Sequence, residues 1–270
     1  MKITPFLLAG TIGLLLSVLG CGAQGASTQT SQASVPASGT TQTTPASSGA
    51  PAPPTQAKNF SALQSSNGWQ SCNAASCAGG SGAGSYWIAQ NQASPSVSGS
   101  SMELSNSGVW ANALWWNKLS AVPSATNFLW DFYFQVDAAS LTAGQALEFD
   151  MFQFLNGYNY MMGTECNYAS GYWDLWDEYN GHWKRTGVAC PKFQPGAWHH
   201  VQLYAKRAPT TASYTFVSLT VDGTTYPLNE TYSSKDVGWD GYVGVQFQLD
   251  VNASGQEYHE WVDNVAFSVW

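Results

Sequence analysis

Apolar and polar residues alternate along short segments over most of the chain from about residue 59 onward. These segments recur roughly every ten residues and are separated by Gly, Asn, Asp and Ser, which favour turns. None of them has the period of about 3.6 residues that marks an amphipathic helix. Many short strands at this spacing predict an all-β fold, a two-sheet antiparallel jelly-roll sandwich. The predicted strands are 84–90, 110–119, 127–137, 146–155, 158–166, 197–207, 214–223, 241–250 and 257–270.

The dipeptide Asn156-Gly157 predicts a tight hairpin between two of these strands. Asn-Gly favours a two-residue type I′ turn, and counting outward from it pairs Glu148 with Glu165. Directly opposed residues have Cβ atoms about 4.5–5.5 Å apart. Asp150 shares the face of Glu148, so we expect three neighbouring carboxyls that raise at least one pKa. The alternative is a β-bulge that slips the register by one residue and separates the two glutamates.

A second Asn-Gly dipeptide, Asn180-Gly181, predicts another hairpin in which Trp176 faces Arg185. An aromatic ring beside charged groups suits a sugar, because its C–H face stacks on the ring while its hydroxyls form hydrogen bonds. The alternative is a cation–π pair between Trp176 and Arg185 that only closes a surface loop. One face of the predicted hairpin carries Asp174, Trp176, Glu178, Trp183 and Arg185.

The first 58 residues differ from the rest in composition. The apolar run 6–20 is shorter than a membrane span of about 20 residues and ends in 18-VLGC-21, which resembles the lipobox of bacterial lipoproteins. We expect residues 1–20 to be a lipoprotein signal peptide and Cys21 to carry the lipid. The exported protein would then be anchored to a membrane of the bacterial cell envelope. The alternative is an ordinary secretory signal in which Cys21 is incidental.

Residues 22–57 contain no aromatic residue and no acid. Such a segment cannot bury enough apolar surface to offset its ordering entropy, so 21–58 is predicted to be the lipidated cysteine and a disordered linker. The domain proper is then 59–270. Over the whole chain, 17 acidic residues against 9 Lys and Arg give a net charge of −8. This balance argues against a nucleic-acid partner, which needs clustered Lys and Arg.

Four cysteines remain when Cys21 is set aside. An even number in an exported protein predicts two disulfides rather than reactive thiols. Of the three possible connectivities we predict the two that are local in sequence, Cys72–Cys77 and Cys166–Cys190. The second bridge would hold the aromatic hairpin against the strand that carries Glu165.

Three strand sequences, 197-AWHHVQLYAKR-207, 216-FVSLTVDG-223 and 261-WVDNVAF-267, resemble those of the concanavalin A-like lectin/glucanase superfamily, including its laminin G-like members. The likeness covers most of residues 60–270. It implies two curved antiparallel sheets whose concave face often binds sugar chains. Asp263 resembles the aspartate that helps to hold a structural calcium in many glucanase-type relatives, so Ca²⁺ is an expectation there, although a single acid specifies no metal.

The stretch 148-EFDMFQ-153 resembles the catalytic strand E-x-D-x-x-E of laminarinase-type β-glucanases. In that family a bulge brings the last glutamate to the face of the first. The resemblance implies the nucleophile position for Glu148 and an ordering role for Asp150, and it leaves Gln153 in place of the general acid/base. An amide has no proton to give, and losing acid–base assistance costs roughly 10²–10⁴ in rate.

We therefore expect a non-catalytic, carbohydrate-binding lipoprotein whose partner is a polysaccharide or other glycan. The alternative is a glycoside hydrolase in which Glu165 supplies the missing proton beside Glu148. A third hypothesis is an envelope scaffold with no soluble ligand. The predicted carbohydrate-binding residues are Glu148, Asp150, Gln153, Glu165, Asp174, Trp176, Glu178, Trp183 and Arg185.

Overall fold

The computed structural model describes residues 49–239 and 241–270. The predicted signal peptide and Cys21 lie outside the described residues. The strands are β1 Lys58–Phe60, β2 Trp69–Cys72, β3 Tyr86–Gln92, β4 Ser101–Asn106, β5 Asn112–Lys118, β6 Asn127–Val136, β7 Gly144–Leu155, β8 Tyr158–Asn167, β9 Tyr172–Asp177, β10 His182–Ala189, β11 His199–Arg207, β12 Ser213–Val221, β13 Thr224–Ser233, β14 Lys235–Asp236, β15 Val243–Val251 and β16 Tyr258–Val269. Helical segments are α1 Ala75–Ala78, α2 Ser140–Ala143 and the 3₁₀ turn Leu63–Ser65. Within the described ranges, no helix has the length and apolarity to span a membrane.

Two antiparallel sheets make up the fold. The first has the order β13-β12-β11-β6-β16-β4-β3, with β1 beside one end of β16. The second has the order β10-β9-β8-β7-β15-β5-β2, with β14 beside the turn end of β8. The predicted all-β, two-sheet antiparallel sandwich is therefore confirmed.

Aromatic rings from the two sheets fill the space between them. Phe132 of the first sheet lies 5.0 Å, between ring centroids, from Phe149 of the second, and Trp130 lies 4.9 Å from Phe247. All four side chains are fully buried. Because side chains alternate along a strand, the inward position of Phe149 directs its neighbours Glu148 and Asp150 to the outer face of the second sheet.

The β7–β8 hairpin has the register that Asn156-Gly157 predicted. Both turn residues have the positive φ of a type I′ turn, 53° and 82°. Pairing then runs from the turn to Ala146 opposite Asn167, and Glu148 lies opposite Glu165. The register is continuous over this stretch, so the bulge considered as the alternative is not present.

The β9–β10 hairpin has a longer turn than predicted. Asp177 pairs with His182, which leaves a four-residue loop instead of a two-residue turn. The carboxylate of Asp177 explains this, because it accepts hydrogen bonds from the backbone N–H and side-chain amide of Asn180, at 3.2 and 2.8 Å. The N–H of Gly181, at φ 66°, donates to the carbonyl of Asp177 at 2.8 Å and closes the loop.

This longer loop corrects the predicted pairing by two residues. Trp176 faces Trp183 instead of Arg185, and Arg185 faces Asp174. A shift of two residues keeps every side chain on its predicted face, because the side-chain period of a strand is two. The aromatic and charged residues of this hairpin therefore still share one face.

Both predicted disulfides are present. Cys72–Cys77 joins β2 to α1. Cys166–Cys190 joins β8 to the residue that follows β10, and it closes a segment with a sequence separation of 24. The β9–β10 hairpin is thus covalently fixed against the strand that carries Glu165.

Candidate functional site

A cavity of about 470 Å³ opens on the outer face of the second sheet. Its floor comes from β15, β7 and β8, one wall from the β9–β10 hairpin, and the opposite wall from the loop after α1. We call this cavity the acidic groove. Its lining residues are Cys77, Ala78, Gly79, Gly80, Asn112, Leu114, Gln145, Glu148, Asp150, Met161, Glu165, Asn167, Trp176, Glu178, Trp183, Gln246, Gln248 and Asp250.

Three buried carboxyls meet in the floor of the groove. Oxygen atoms of Glu148, Glu165 and Asp250 lie within 4.8 Å of one another. The side-chain amide of Gln248 lies between two of them, donating to Oε1 of Glu148 and, at 3.0 Å, to Oδ1 of Asp250. The neighbouring strands β7, β8 and β15 each contribute one acid, so the cluster is a product of strand pairing.

Burial is the main cause of the raised pKa values in this cluster. It raises the pKa of Glu148 well above its usual range, and the nearby carboxylates of Asp250 and Asp150 add to the effect. Burial likewise raises the pKa of Glu165 to about 8 and that of Asp250 to about 7. The cluster therefore keeps protons at neutral pH, so its carboxyls both donate and accept hydrogen bonds.

Asp150 lies beside the cluster and is held by two donors. The backbone N–H of Thr164 donates to its Oδ1 at 3.0 Å, and the side-chain amide of Gln246 to its Oδ2 at 2.6 Å. Burial raises the pKa of Asp150 to about 7, although both hydrogen bonds act to lower it. A Cβ at Gly163 would lie 2.9 Å from the Asp150 carboxylate and 3.0 Å from Cβ of Trp176. The glycine therefore permits the close approach of the acid to the aromatic wall.

Two tryptophans form that wall. The rings of Trp176 and Trp183 lie 5.1 Å apart in an edge-to-face arrangement. Nε1 of Trp176 donates to Glu178 at 2.6 Å, and the Asn159 amide donates to the other oxygen of the same carboxylate at 2.9 Å. The hydroxyl of Tyr214 binds the carbonyl of Trp176 at 3.0 Å. These bonds fix the orientation of the wall before any ligand enters.

Asp174 and Arg185 lie next to the groove and do not line it. Asn167 donates to both Glu165, at 2.9 Å, and Asp174, at 3.2 Å, so Asp174 supports the floor from the side. Arg185 is 3.9 Å from Asp174, and its guanidinium lies 5.2 Å above the ring of Tyr172. The cation–π pair with Trp176 that the sequence offered as an alternative is not formed.

Gln153 does not join the other predicted site residues. The continuous register of β7 directs its side chain to the inner face, where its Nε2 donates to the carbonyl of Val122 at 3.0 Å. The expectation that Gln153 lines the sugar site is therefore wrong. Without a bulge, the last position of the glucanase-like motif cannot reach the face of Glu148.

Asp263, on β16 of the first sheet, is surrounded by hydrogen-bond donors. Burial acts to raise its pKa, but the hydrogen bonds outweigh burial and lower it. A calcium site needs about six to eight oxygen ligands, whereas both oxygens of this carboxylate already accept N–H and O–H groups. The surroundings of Asp263 do not fit a calcium ion. The donors are the Gln64 amide, the hydroxyls of Ser96 and Ser98, and the backbone N–H groups of Val97, Ser98 and Asn264.

Three groove residues on β15 were missed in the sequence. Gln246, Gln248 and Asp250 alternate with buried apolar residues in 243-VGVQFQLDV-251. This is the same polar alternation that marked Glu148 and Asp150 as unusual. Polar residues at every second position of an otherwise apolar strand are the signal that finds them.

Comparison with solved protein structures finds chains that are similar to this one in fold. No family model matches the chain, and no curated protein matches its sequence. An alginate lyase solved with an alginate trisaccharide is 12% identical over 74% of this chain and 97% of that one, with a TM-score of 0.41. Lectin I of Ulex europaeus, solved with the methyl glycoside of α-L-fucose, is 13% identical over 79% and 98%, with a TM-score of 0.41. Arcelin-5, a lectin-like defence protein of Phaseolus vulgaris, is 14% identical over 75% and 98%, with a TM-score of 0.40.

The sandwich implied by the resemblance to the concanavalin A-like superfamily is confirmed by this chain's own strand pairing. The class defined by fold and site is an antiparallel β-sandwich with an acidic, tryptophan-walled groove on its second sheet.

Proposed function

We propose that the acidic groove binds a segment of a glycan chain. One observation supports this proposal above the others. A single cavity combines a fixed pair of tryptophans, Trp176 and Trp183, with a floor of carboxyl and amide groups. A sugar ring offers C–H groups that stack on an indole and hydroxyls that bond to carboxyl and amide groups. A purely apolar ligand would leave the polar groups of the floor unpaired.

The charge of the groove selects among glycans. Glu148, Asp150, Glu165, Glu178 and Asp250 line it, and its lining includes no Lys or Arg. A uronic acid would meet five acidic side chains and no cation there, whereas a neutral sugar can hydrogen-bond to both the carboxyl and the amide groups. An amino sugar would gain ion pairs. The proposed ligand is therefore a neutral or amino-bearing glycan.

A glycan array probed with the full-length protein tests the proposal. We expect binding to neutral or amino-bearing chains and a loss of roughly tenfold or more in Trp176→Ala, because the stacking plane is removed. Trp87→Ala is the matched control, since Trp87 is also partly exposed but lies on β3 of the first sheet. The absence of binding to any glycan, or equal losses in the two variants, contradicts the proposal.

The pairing of Glu148 with Glu165 favours a second candidate function, glycoside hydrolysis. Their carboxyl oxygens lie within 4.8 Å, close to the roughly 5–5.5 Å at which retaining glycosidases hold their two carboxyls. The raised pKa of Glu165, about 8, would provide a protonated acid at neutral pH. The raised pKa of Glu148 opposes this function, because a nucleophile must be ionised. We therefore place it second.

A reducing-sugar assay distinguishes the two functions. For each glycan bound on the array, the binding function predicts no turnover by the wild type. Hydrolysis predicts turnover that disappears in Glu148→Gln and in Glu165→Gln while binding persists. Wild-type turnover that is lost in both variants would make the protein an enzyme and reject the binding-only function.

We also propose, from the sequence, that the domain is displayed on a bacterial cell envelope by a lipid on Cys21. The support is the 18-VLGC-21 boundary and the low-complexity composition that follows it. Replacement of Cys21 by Ser is expected to abolish partitioning into detergent and to release the protein from membranes. Unchanged membrane retention of that variant would reject the anchor.

A further inference from the structure

A second aromatic surface lies on the same sheet face, outside the acidic groove. Trp239 stacks on Phe154 with ring centroids 4.0 Å apart and an angle of 13° between the planes. Tyr242 contacts both, at 5.7 Å from Trp239 and 5.1 Å from Phe154. We call these three residues the Trp239 platform. Although packed in this way, the Trp239 side chain remains 46% exposed.

The platform continues the groove along β7. Phe154 is an even-numbered residue of that strand, as Glu148 and Asp150 are, so all three lie on its outer face. Six residues of extended strand separate Phe154 from Glu148, a distance of about 20 Å. The platform is therefore too far away to touch a sugar unit that lies over Glu148.

Strand pairing and hydrogen bonds connect the two surfaces across the sheet. Phe154 pairs with Asn159 on β8, and the amide of Asn159 donates to Glu178 at 2.9 Å. The carboxylate of Glu178 in turn accepts a hydrogen bond of 2.6 Å from Nε1 of Trp176, a residue of the groove wall. Asn159 is thus a buried link between the strand position of Phe154 in the platform and the tryptophan wall of the groove.

A small cavity borders the platform. Phe154 and Tyr242 line this cavity of about 210 Å³ together with Gln153. Gln153 is 1% exposed and its side chain lies on the inner face of β7, so the aromatic rings are the groups that the platform offers to a ligand.

We propose that the Trp239 platform is a second glycan-stacking subsite, which binds a distant unit of the same chain that occupies the groove. This inference rests on the proposed function and adds a length requirement. The ligand is a chain long enough to reach from Glu148 to Trp239. A disaccharide reaches only one of the two surfaces.

Calorimetry on the full-length protein tests this requirement. The probes are disaccharides and octasaccharides of linear β-glucan, xylan, mannan and chitosan. In each series that binds, we expect the octasaccharide to bind more tightly than the disaccharide. Trp239→Ala is expected to weaken octasaccharide binding roughly threefold to tenfold and leave the disaccharide unchanged, whereas Trp239→Phe keeps most of the affinity. Trp87→Ala is the control for removal of a partly exposed tryptophan elsewhere.

The remaining outcomes separate the two proposals. If the octasaccharide gains no affinity, or Trp239→Ala weakens both lengths equally or neither, the subsite is rejected while the groove stands. If no series binds to the wild type, both the groove and the subsite are rejected. If sedimentation shows a dimer that Trp239→Ala dissociates, the platform is a contact between copies of this chain and the subsite is rejected.

Discussion

Glu148 on β7 and Glu165 on β8 are direct partners in the strand register, and both are buried. Strand pairing therefore forces two like-charged side chains together, with Asp250 as a third. The cost of ionising them in a buried site raises their pKa values, so the folded protein holds protons that the unfolded chain releases. The groove is therefore a region where ionisation destabilises the fold.

Stability should decrease as pH rises through the neutral range. The pKa of Glu165 moves from 4.5 to about 8, and those of Asp150 and Asp250 from 3.8 to about 7. Between about pH 4 and pH 8 the folded state thus binds more protons than the unfolded state, and raising the pH favours unfolding. Denaturant unfolding at a series of pH values is expected to show a free energy of unfolding that falls between about pH 4 and pH 8.

The variant Glu165→Gln provides the control for this prediction. An amide cannot ionise, so the variant should be more stable than the wild type at pH 8 and should show a shallower pH dependence. Glu230→Gln removes an exposed acid and should leave the profile unchanged. A wild-type stability that rises between pH 5 and pH 8 would contradict the raised pKa values.

Asp263 is expected to stabilise the fold without calcium. Asp263→Asn puts an amide N–H against groups that are themselves donors, and it should lower the free energy of unfolding by about 1–3 kcal/mol. Addition of a calcium chelator to the wild type should not change its thermal midpoint. A midpoint that falls on chelation and recovers with calcium would show that the carboxylate holds the metal after all.

Gly163 should be required for binding. Gly163→Ala places a methyl group 2.9 Å from the Asp150 carboxylate and 3.0 Å from Cβ of Trp176, so one of them must move. We expect a loss of stability of about 1–3 kcal/mol and glycan binding weaker by roughly tenfold. Gly187→Ala on β10 is the matched control, because a Cβ there meets nothing within 4 Å. Equal affinities of the two variants on the array would show that the spacing between acid and tryptophan is unimportant.

Loss of the Cys166–Cys190 disulfide should affect the groove more than the sandwich. Replacing both cysteines by alanine is expected to reduce the free energy of unfolding by about 2–4 kcal/mol, because the unfolded chain regains its freedom. The wall that carries Trp176 should become mobile, which faster amide hydrogen exchange over β9 and β10 would show. Exchange that increases uniformly over both sheets would instead indicate a general loss of stability.

Glycan charge should have a measurable effect on affinity. An alginate oligosaccharide is expected to bind at least about tenfold more weakly than a neutral oligosaccharide of equal length, because the groove lining contains no Lys or Arg. Tighter binding of the alginate chain at low salt would refute the proposed selectivity.

The local features of the fold could be predicted from the sequence, and two turns show the limit. Asn156-Gly157 fixed the register of β7–β8, since both residues adopt the positive φ that the dipeptide favours. The same dipeptide at 180–181 predicted a strand register that is wrong by two residues, because Asp177 caps a longer loop. A side chain outside the dipeptide decided that turn, and dipeptide preferences do not include it.

Features that depend on pairing between strands far apart in the sequence could not be predicted from the sequence. Strand β13 was missed because it is an exposed edge strand interrupted by Pro227, which edge strands tolerate. Asp250 joins the cluster only because β15 pairs with β7, about a hundred residues earlier in the chain. Gln153 was misplaced because the motif implied a bulge, whereas β7 continues in register with both neighbours through that position.

The Cys166–Cys190 disulfide separates the wall of the groove from its floor. Residues 167–189 include β9 and β10, at one edge of the second sheet, and return to Cys166, and they carry both tryptophans of the wall, whereas Glu148, Glu165 and Asp250 lie outside them. The segment is in effect a cassette, covalently sealed at its base. Exchanging this segment for one with other aromatic residues would therefore alter the wall of the groove and leave the acids of its floor in place.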